Sequence, residues 1–194
     1  MPESSIELEV TFRCNWNCDY CLVDTHDRDD IDFKDTMEYI HSLDDNTEVS
    51  ISGGEPGMLK REEITEIILL LKSKNCELDL ITNGLFIEKY PDLLHNFESI
   101  SYHCVEYIED DIVVYDYDNI VYNIVVTSVN MNKLDWFFNK HKDLNIKFKL
   151  LINFRKSNKV KIKDFLNLIK KYESLVDVKE TNKEFMFDIM DVGV

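Results

Sequence analysis

An α/β fold with a parallel sheet is the prediction of this sequence: a partial (β/α)6 TIM-like open barrel with parallel strands. Three observations lead there. Apolar residues switch between a period of two and a helical period along almost the whole chain. Six strand-like segments alternate with helical ones, the pattern of βαβ units whose right-handed crossovers curl a sheet. Six units fall short of the eight that close a TIM barrel, so the barrel is expected to stay open.

Taken in order, residues 6–12 (IELEVTF) alternate apolar and polar side chains and read as the first strand. Phe33, Met37, Ile40 and Leu43 are spaced for one helical face, with Asp32 placed to cap it. Glu48–Ser52 is a short strand running into Gly53-Gly54. Ile64, Ile67, Ile68 and Leu71 mark a second amphipathic helix. Glu77–Thr82 is the third strand, stopped by Asn83-Gly84, and a helix is predicted around 87–97 with Pro91 limiting its start. Strands follow at 99–105 and 119–127. Leu134, Phe137, Phe138 and His141 line another helix before a sixth strand at 146–153. Ile162, Phe165, Leu166, Ile169 and Tyr172 belong to a final helix. With no linker or repeat, one domain is expected over 1–194, its motif-bearing core at about 6–153 and a helix and short tail at 154–194.

Composition excludes whole classes of function. A hydrophobic fraction of 44% with 11 Phe excludes a disordered chain. No apolar run approaches the roughly 20 residues that span a bilayer, and Met-Pro-Glu-Ser-Ser carries no signal-peptide pattern. A cytoplasmic protein without membrane attachment is therefore expected. The net charge of −16, from 38 acidic and 22 basic residues, repels phosphate backbones and disfavours a nucleic-acid partner. The acidic stretches 24–32 and 109–118 read as solvated loops, with a metal or cationic-substrate role as the alternative.

The 5 cysteines are an odd count for a disulfide framework, and three of them crowd into Cys14-Asn-Trp-Asn-Cys18-Asp-Tyr-Cys21. Such short intervals let three thiolates converge on one inorganic cluster from a single loop. A [4Fe–4S] cube held by three cysteines keeps one iron open, and an open position is what lets a metal centre activate a small molecule. The other reading is a zinc site with His26 as fourth ligand, although the chain lacks a zinc-domain pattern. Ligands of parallel α/β folds bind at the C-terminal strand ends. The cysteines, Gly53–Pro56 and Thr82-Asn83-Gly84 follow strands one, two and three.

With the aromatic Tyr20 before its last cysteine, the Cys motif resembles the signature of the radical S-adenosylmethionine (SAM) superfamily. The resemblance implies an enzyme with a [4Fe–4S] cluster on Cys14, Cys18 and Cys21, whose open iron SAM's methionine chelates. Electron transfer then cleaves SAM to a 5′-deoxyadenosyl radical that abstracts a substrate hydrogen. Ser52-Gly53-Gly54-Glu55-Pro56 resembles the family's GGEP element. By resemblance, Gly53 and Gly54 hydrogen-bond the methionyl ammonium and Glu55 fixes that loop or group; glycines there allow the backbone to approach the ligand. Thr82-Asn83-Gly84 resembles a turn common in the superfamily, with a plain strand-ending turn as its other reading. Tyr20 is expected near the adenine.

On the fourth strand Ser99, Ser101 and His103 share one face. Relatives often place a small polar residue there against SAM's carboxylate or ribose, which makes Ser101 the candidate. His103 reads as a satisfied core histidine or as a substrate contact. Cys104, on the opposite face, reads as a buried inert thiol rather than a hydrogen-atom donor. Asp24-Thr25 is similar to a dipeptide of the 7-carboxy-7-deazaguanine synthases, displaced two positions by Leu22-Val23.

The resemblance also implies partners: an electron donor such as flavodoxin or ferredoxin, and a substrate that is a small molecule, nucleotide or peptide. A glycyl-radical enzyme activase is the alternative within the family. A non-catalytic [4Fe–4S] electron-transfer module is the alternative outside it, and the intact Gly-Gly-Glu-Pro element argues against that reading. On the enzyme reading, replacing Gly54 with a bulkier residue is expected to lose SAM affinity while the cluster is retained. No cysteine follows Cys104 in this sequence, so the auxiliary-cluster extension of many peptide-modifying relatives is not expected.

Overall fold

A computed structural model of the 194-residue chain describes residues 4–18, 21, 29–103, 113–126, 133–141, 144–150 and 167. It contains strands β1 (Ser5–Glu9), β2 (Glu48–Ser52), β3 (Glu77–Thr82), β4 (Ser99–His103), β5 (Ile120–Val126) and β6 (Ile146–Leu150). The helices are α1 (Phe33–Ser42), α2 (Arg61–Ser73), α3 (Leu85–Lys89) and α4 (Leu134–His141). The strands form an open six-stranded sheet in chain order, β1-β2-β3-β4-β5-β6. Pairing is parallel for β1 with β2, β2 with β3, β3 with β4, and β5 with β6. This is the open α/β architecture that the alternating pattern predicts.

The chain divides into two compact units, 1–103 with 116–121 and 104–115 with 122–194. In the first unit the strand register sorts side chains onto two faces. Val49 pairs with Leu78, and Ile51 pairs with Leu80 and Leu8. Leu80 in turn pairs with Ile100. These residues, with Ile64, Ile67, Ile68 and Leu71 of α2, are buried and form the core beneath the helices. Full burial of such a side chain contributes about 1.5–3 kcal/mol, so α2 is held mainly by this one face. The opposite face carries Glu7, Ser50, Asp79 and Ser99 in one row. Glu9 with Ser52, and Ile81 with Ser101, continue it toward the C-terminal strand ends.

Local chemistry sets the element ends. Asp32 caps α1 by accepting from Lys34 N–H at 2.7 Å, as expected. Glu63 accepts from the Lys60 backbone N–H at 2.9 Å at the start of α2, half of a capping box. The helix expected around 87–97 is different. α3 ends before Pro91, and Pro91–Asn96 is a separate 3-10 helix. Pro91 has no N–H to continue the helix, and it forces Tyr90 out of helical geometry, to φ −133° and ψ 51°. β1 is also shorter than 6–12, because beyond Glu9 the backbone bonds the Gly53-Gly54 loop instead of extending a regular ladder.

In the second unit β5 and β6 pair from Tyr122 with Ile146 to Val126 with Leu150. Leu134, Phe137 and His141 of α4 are buried, as their spacing predicts. The expected strand continuations beyond His103, Val126 and Leu150 lie outside the described residues. So does the helix over Ile162–Tyr172 apart from Asn167, which is helical.

Candidate active site

Three loops of the first unit meet at the C-terminal ends of β1, β2 and β3. The closest approach is made by glycines. A Cβ on Gly53 would lie 2.4 Å from Thr11 O, and one on Gly54 would lie 2.3 Å from Arg13 O. Gly53 also has φ 120°, a conformation other residues rarely adopt. Gly54 N–H donates to Thr11 O at 2.7 Å and Glu55 N–H to Arg13 O at 2.8 Å. The sequence reading assigned these glycines to a close approach by ligand. The structure supplies another reason for their size, contact with residues 11–13 leading into Cys14. A bulkier residue at 54 therefore presses on residues 12 and 13, which lead into Cys14, and such a variant is expected to disturb the cysteine loop as well as SAM affinity.

Glu55 is fully buried. Its Oε1 accepts from Thr82 Oγ1 at 2.8 Å, Gly57 N–H at 3.0 Å and Phe86 N–H at 3.2 Å. Its Oε2 accepts from Asn83 N–H at 2.7 Å. Burial pushes the carboxyl pKa up, and the four donors offset this without reversing it. Pro56 follows as the first residue of a 3-10 turn, Pro56–Met58. Thr82 is buried and bridges, donating to Glu55 and accepting from Gly84 N–H at 3.0 Å. Ser52, one residue before Gly53, is buried, and its hydroxyl has no hydrogen-bond partner among the described residues.

Asn83 connects this assembly to the cysteine loop. Its Nδ2 donates to Asn15 Oδ1 at 2.8 Å and to Cys14 Sγ at 3.6 Å. Trp16 N–H also donates to Cys14 Sγ, at 3.4 Å. Burial pushes the Cys14 thiol up, with Glu55 and Cys21 adding to the effect, while the two N–H donors act against it. Cys21 N–H donates to Cys18 O at 3.1 Å. Cys14 and Cys18 are half-buried and Cys21 is exposed.

One residue of the site was missed in the sequence. Asp30 Oδ1 accepts from Phe12 N–H at 2.7 Å and from Thr11 Oγ1 at 2.8 Å, and Oδ2 pairs with Arg13 Nε at 2.6 Å. Partial burial raises its pKa, but the hydrogen bonds from Phe12, Thr11, Ile31 and Arg13 prevail and leave it below the ordinary value. Asp30 thus anchors the strand exit that leads into Cys14. An acidic run that reads as solvated concealed it.

Other expected positions are placed as follows. Ser101 and His103 lie on the same face of β4 as Ser99, all half-buried. Tyr20, His26, Asp24, Thr25 and Cys104 lie outside the described residues. Among the described residues no three Cys, His, Asp or Glu side chains form a ready-made metal site. Even so, the donor set suits iron and sulfide. Cys14, Cys18 and Cys21 supply three thiol ligands, and two N–H groups point at the Cys14 sulfur, the kind of donor that tunes a cluster thiolate. Final convergence of ligands is commonly coupled to metal binding.

The radical SAM superfamily model matches residues 8–173. The chain belongs to the radical SAM superfamily. That membership makes it an enzyme-family chain whose cofactors are a [4Fe–4S] cluster and SAM. Among curated radical SAM relatives, the probable GTP 3′,8-cyclase of Methanococcus aeolicus is 34% identical over 100 residues, covering 46% of this chain and 32% of that one. An uncharacterised protein of Methanocaldococcus jannaschii is 40% identical over 52 residues, 25% of this chain and 18% of its own. The chain thus spans under a third of the length of these relatives. In fold it is similar to the solved structure of native anSMEcpe with bound AdoMet and Cp18Cys peptide. The TM-score is 0.63 at 17% identity, over 89% of this chain and 59% of that one. No helix among the described residues is long and apolar enough to cross a membrane.

Proposed function

We propose that this chain cleaves SAM reductively and directs the resulting radical at a substrate that carries no polyphosphate. The observation that carries the reading is the junction at the strand ends, where the Gly53-Gly54 loop, Asn83 and Cys14 are joined by direct hydrogen bonds. On this reading Cys14, Cys18 and Cys21 hold a [4Fe–4S] cluster. When bound, the cluster supplies the electron that breaks a carbon–sulfur bond of SAM. Gly53 and Gly54 present backbone carbonyls to the methionyl ammonium, and Glu55, Pro56 and Thr82 fix that loop. The orphaned Ser52 hydroxyl and Ser101 are the polar side chains offered to SAM from the sheet. Tyr20 flanks the adenine. A single domain in the cytoplasm, reduced by a flavodoxin or ferredoxin, completes the reading.

A GTP-cyclase reading rests on the curated relatives. The sheet argues against it. The face of β1–β4 opposite the buried core carries Glu7, Glu9 and Asp79, with Glu48 and Glu77 at its N-terminal edge, and no Lys or Arg. Crowding shows in Asp79, whose pKa is raised by burial first and then by Glu48. Such a face repels triphosphate and accepts a neutral or cationic group.

Anaerobic reconstitution with iron and sulfide, reduction with dithionite, and an assay for 5′-deoxyadenosine test the proposal. Production from SAM that disappears on Cys14→Ala, Cys18→Ala or Cys21→Ala is expected. A fully loaded cluster with no SAM cleavage and no SAM-induced change in its EPR spectrum would overturn it.

A further inference from the structure

We infer that Asn83 is a positioning residue for the cluster, setting its reduction potential through Cys14 and coupling that potential to the Gly53–Glu55 loop. The inference rests on the functional reading above. Each atom of the Asn83 side chain is accounted for. Oδ1 accepts from Leu85 N–H at 3.2 Å, at the start of α3. The orientation of the amide follows from that bond. A flipped amide would set its oxygen against Asn15 Oδ1 and the Cys14 sulfur, two acceptors, so Nδ2 is the atom that faces them.

The backbone of the same residue donates to Glu55 Oε2 at 2.7 Å, and Glu55 is fully buried directly after Gly54. A displacement of the Gly54-Glu55 backbone therefore moves Asn83, and Asn83 moves relative to the sulfur. Glu55 N–H is also bonded to Arg13 O, beside Cys14, which closes the circuit on the other side. A ligand seated on the glycine loop thus has a short mechanical path to one cluster sulfur. An N–H donor at a thiolate sulfur withdraws charge, favours the reduced cluster and raises its potential.

The test is potentiometric EPR titration of the reconstituted enzyme with iron counted per chain. Asn83→Leu is expected to keep its iron and to shift the reduction equilibrium about tenfold against the reduced cluster, ~59 mV for one electron. Asn15→Ala, which breaks the other limb of the same amide, is expected to leave the potential unchanged. An unshifted potential in loaded Asn83→Leu overturns the inference. If that variant holds no cluster, the wild-type enzyme labelled with side-chain ¹⁵N asparagine decides by pulsed EPR. A nitrogen coupling retained in Asn15→Ala supports the assignment, and no coupling overturns it. A wild-type chain that binds no cluster at all overturns the functional reading instead.

Discussion

Glu55 illustrates how one buried side chain ties together the loops that follow β2 and β3. Four donors converge on it, three of them backbone N–H groups; the bonds from Gly57, Thr82 and Phe86 are buried and the one from Asn83 is half-buried. Glu55→Ala leaves these donors unmet, at about 1–3 kcal/mol for each that finds no water. A loss of roughly 3–5 kcal/mol of stability is expected, which urea unfolding measures. Glu55→Gln keeps the volume and one accepting oxygen, so a smaller loss is expected from it. Equal losses in the two variants would show that filling the space matters more than accepting the bonds. In both, SAM affinity is expected to fall through the displaced Gly53-Gly54 loop.

Among the elements, the segment from β1 into the cysteines depends on partners far along the chain. Asp30 holds Thr11, Phe12 and Arg13 together. Its pKa is lowered on folding, so its stabilisation is fully present above the ordinary value near 3.9 and is lost as pH falls through the lower folded value. The thermal midpoint of the metal-free chain is therefore expected to exceed that of Asp30→Asn by a constant margin from pH 7 to about 5. The margin should shrink below about pH 4. A margin independent of pH down to acid unfolding would remove the charge from the explanation.

For the whole molecule, the distribution of charge matters more than its total. The −16 net charge spreads over the chain, but the acidic face of β1–β4 is built in by strand register. GTP is accordingly expected neither to stimulate 5′-deoxyadenosine formation nor to raise the thermal midpoint of the reconstituted enzyme. Stimulation by GTP would favour the cyclase reading and show that cations from elsewhere neutralise this face.

Much of the architecture was legible in the residues. The bounds of β2 and β3 follow from the pattern as it stands, and so does the buried stripe Ile64, Ile67, Ile68 and Leu71. The helix expected at 87–97 differs because Pro91, which cannot continue a helix, follows the end of α3 and opens a 3-10 turn. Periodicity reports on which face of its own element a residue lies, a local property of the chain. Motif spacing likewise placed the cysteines, the Gly-Gly turn and Thr82-Asn83-Gly84 at neighbouring strand ends. What only the tertiary structure decided is which atoms meet there. Asn83 and Cys14 are 69 residues apart, and Thr82 and Glu55 are 27. Asp30 reaches Thr11 from within an acidic run that looks solvated. Those meetings depend on how three strands register and how closely their exits pack. Pairing of that kind is set by the whole sheet, and no single segment of sequence encodes it.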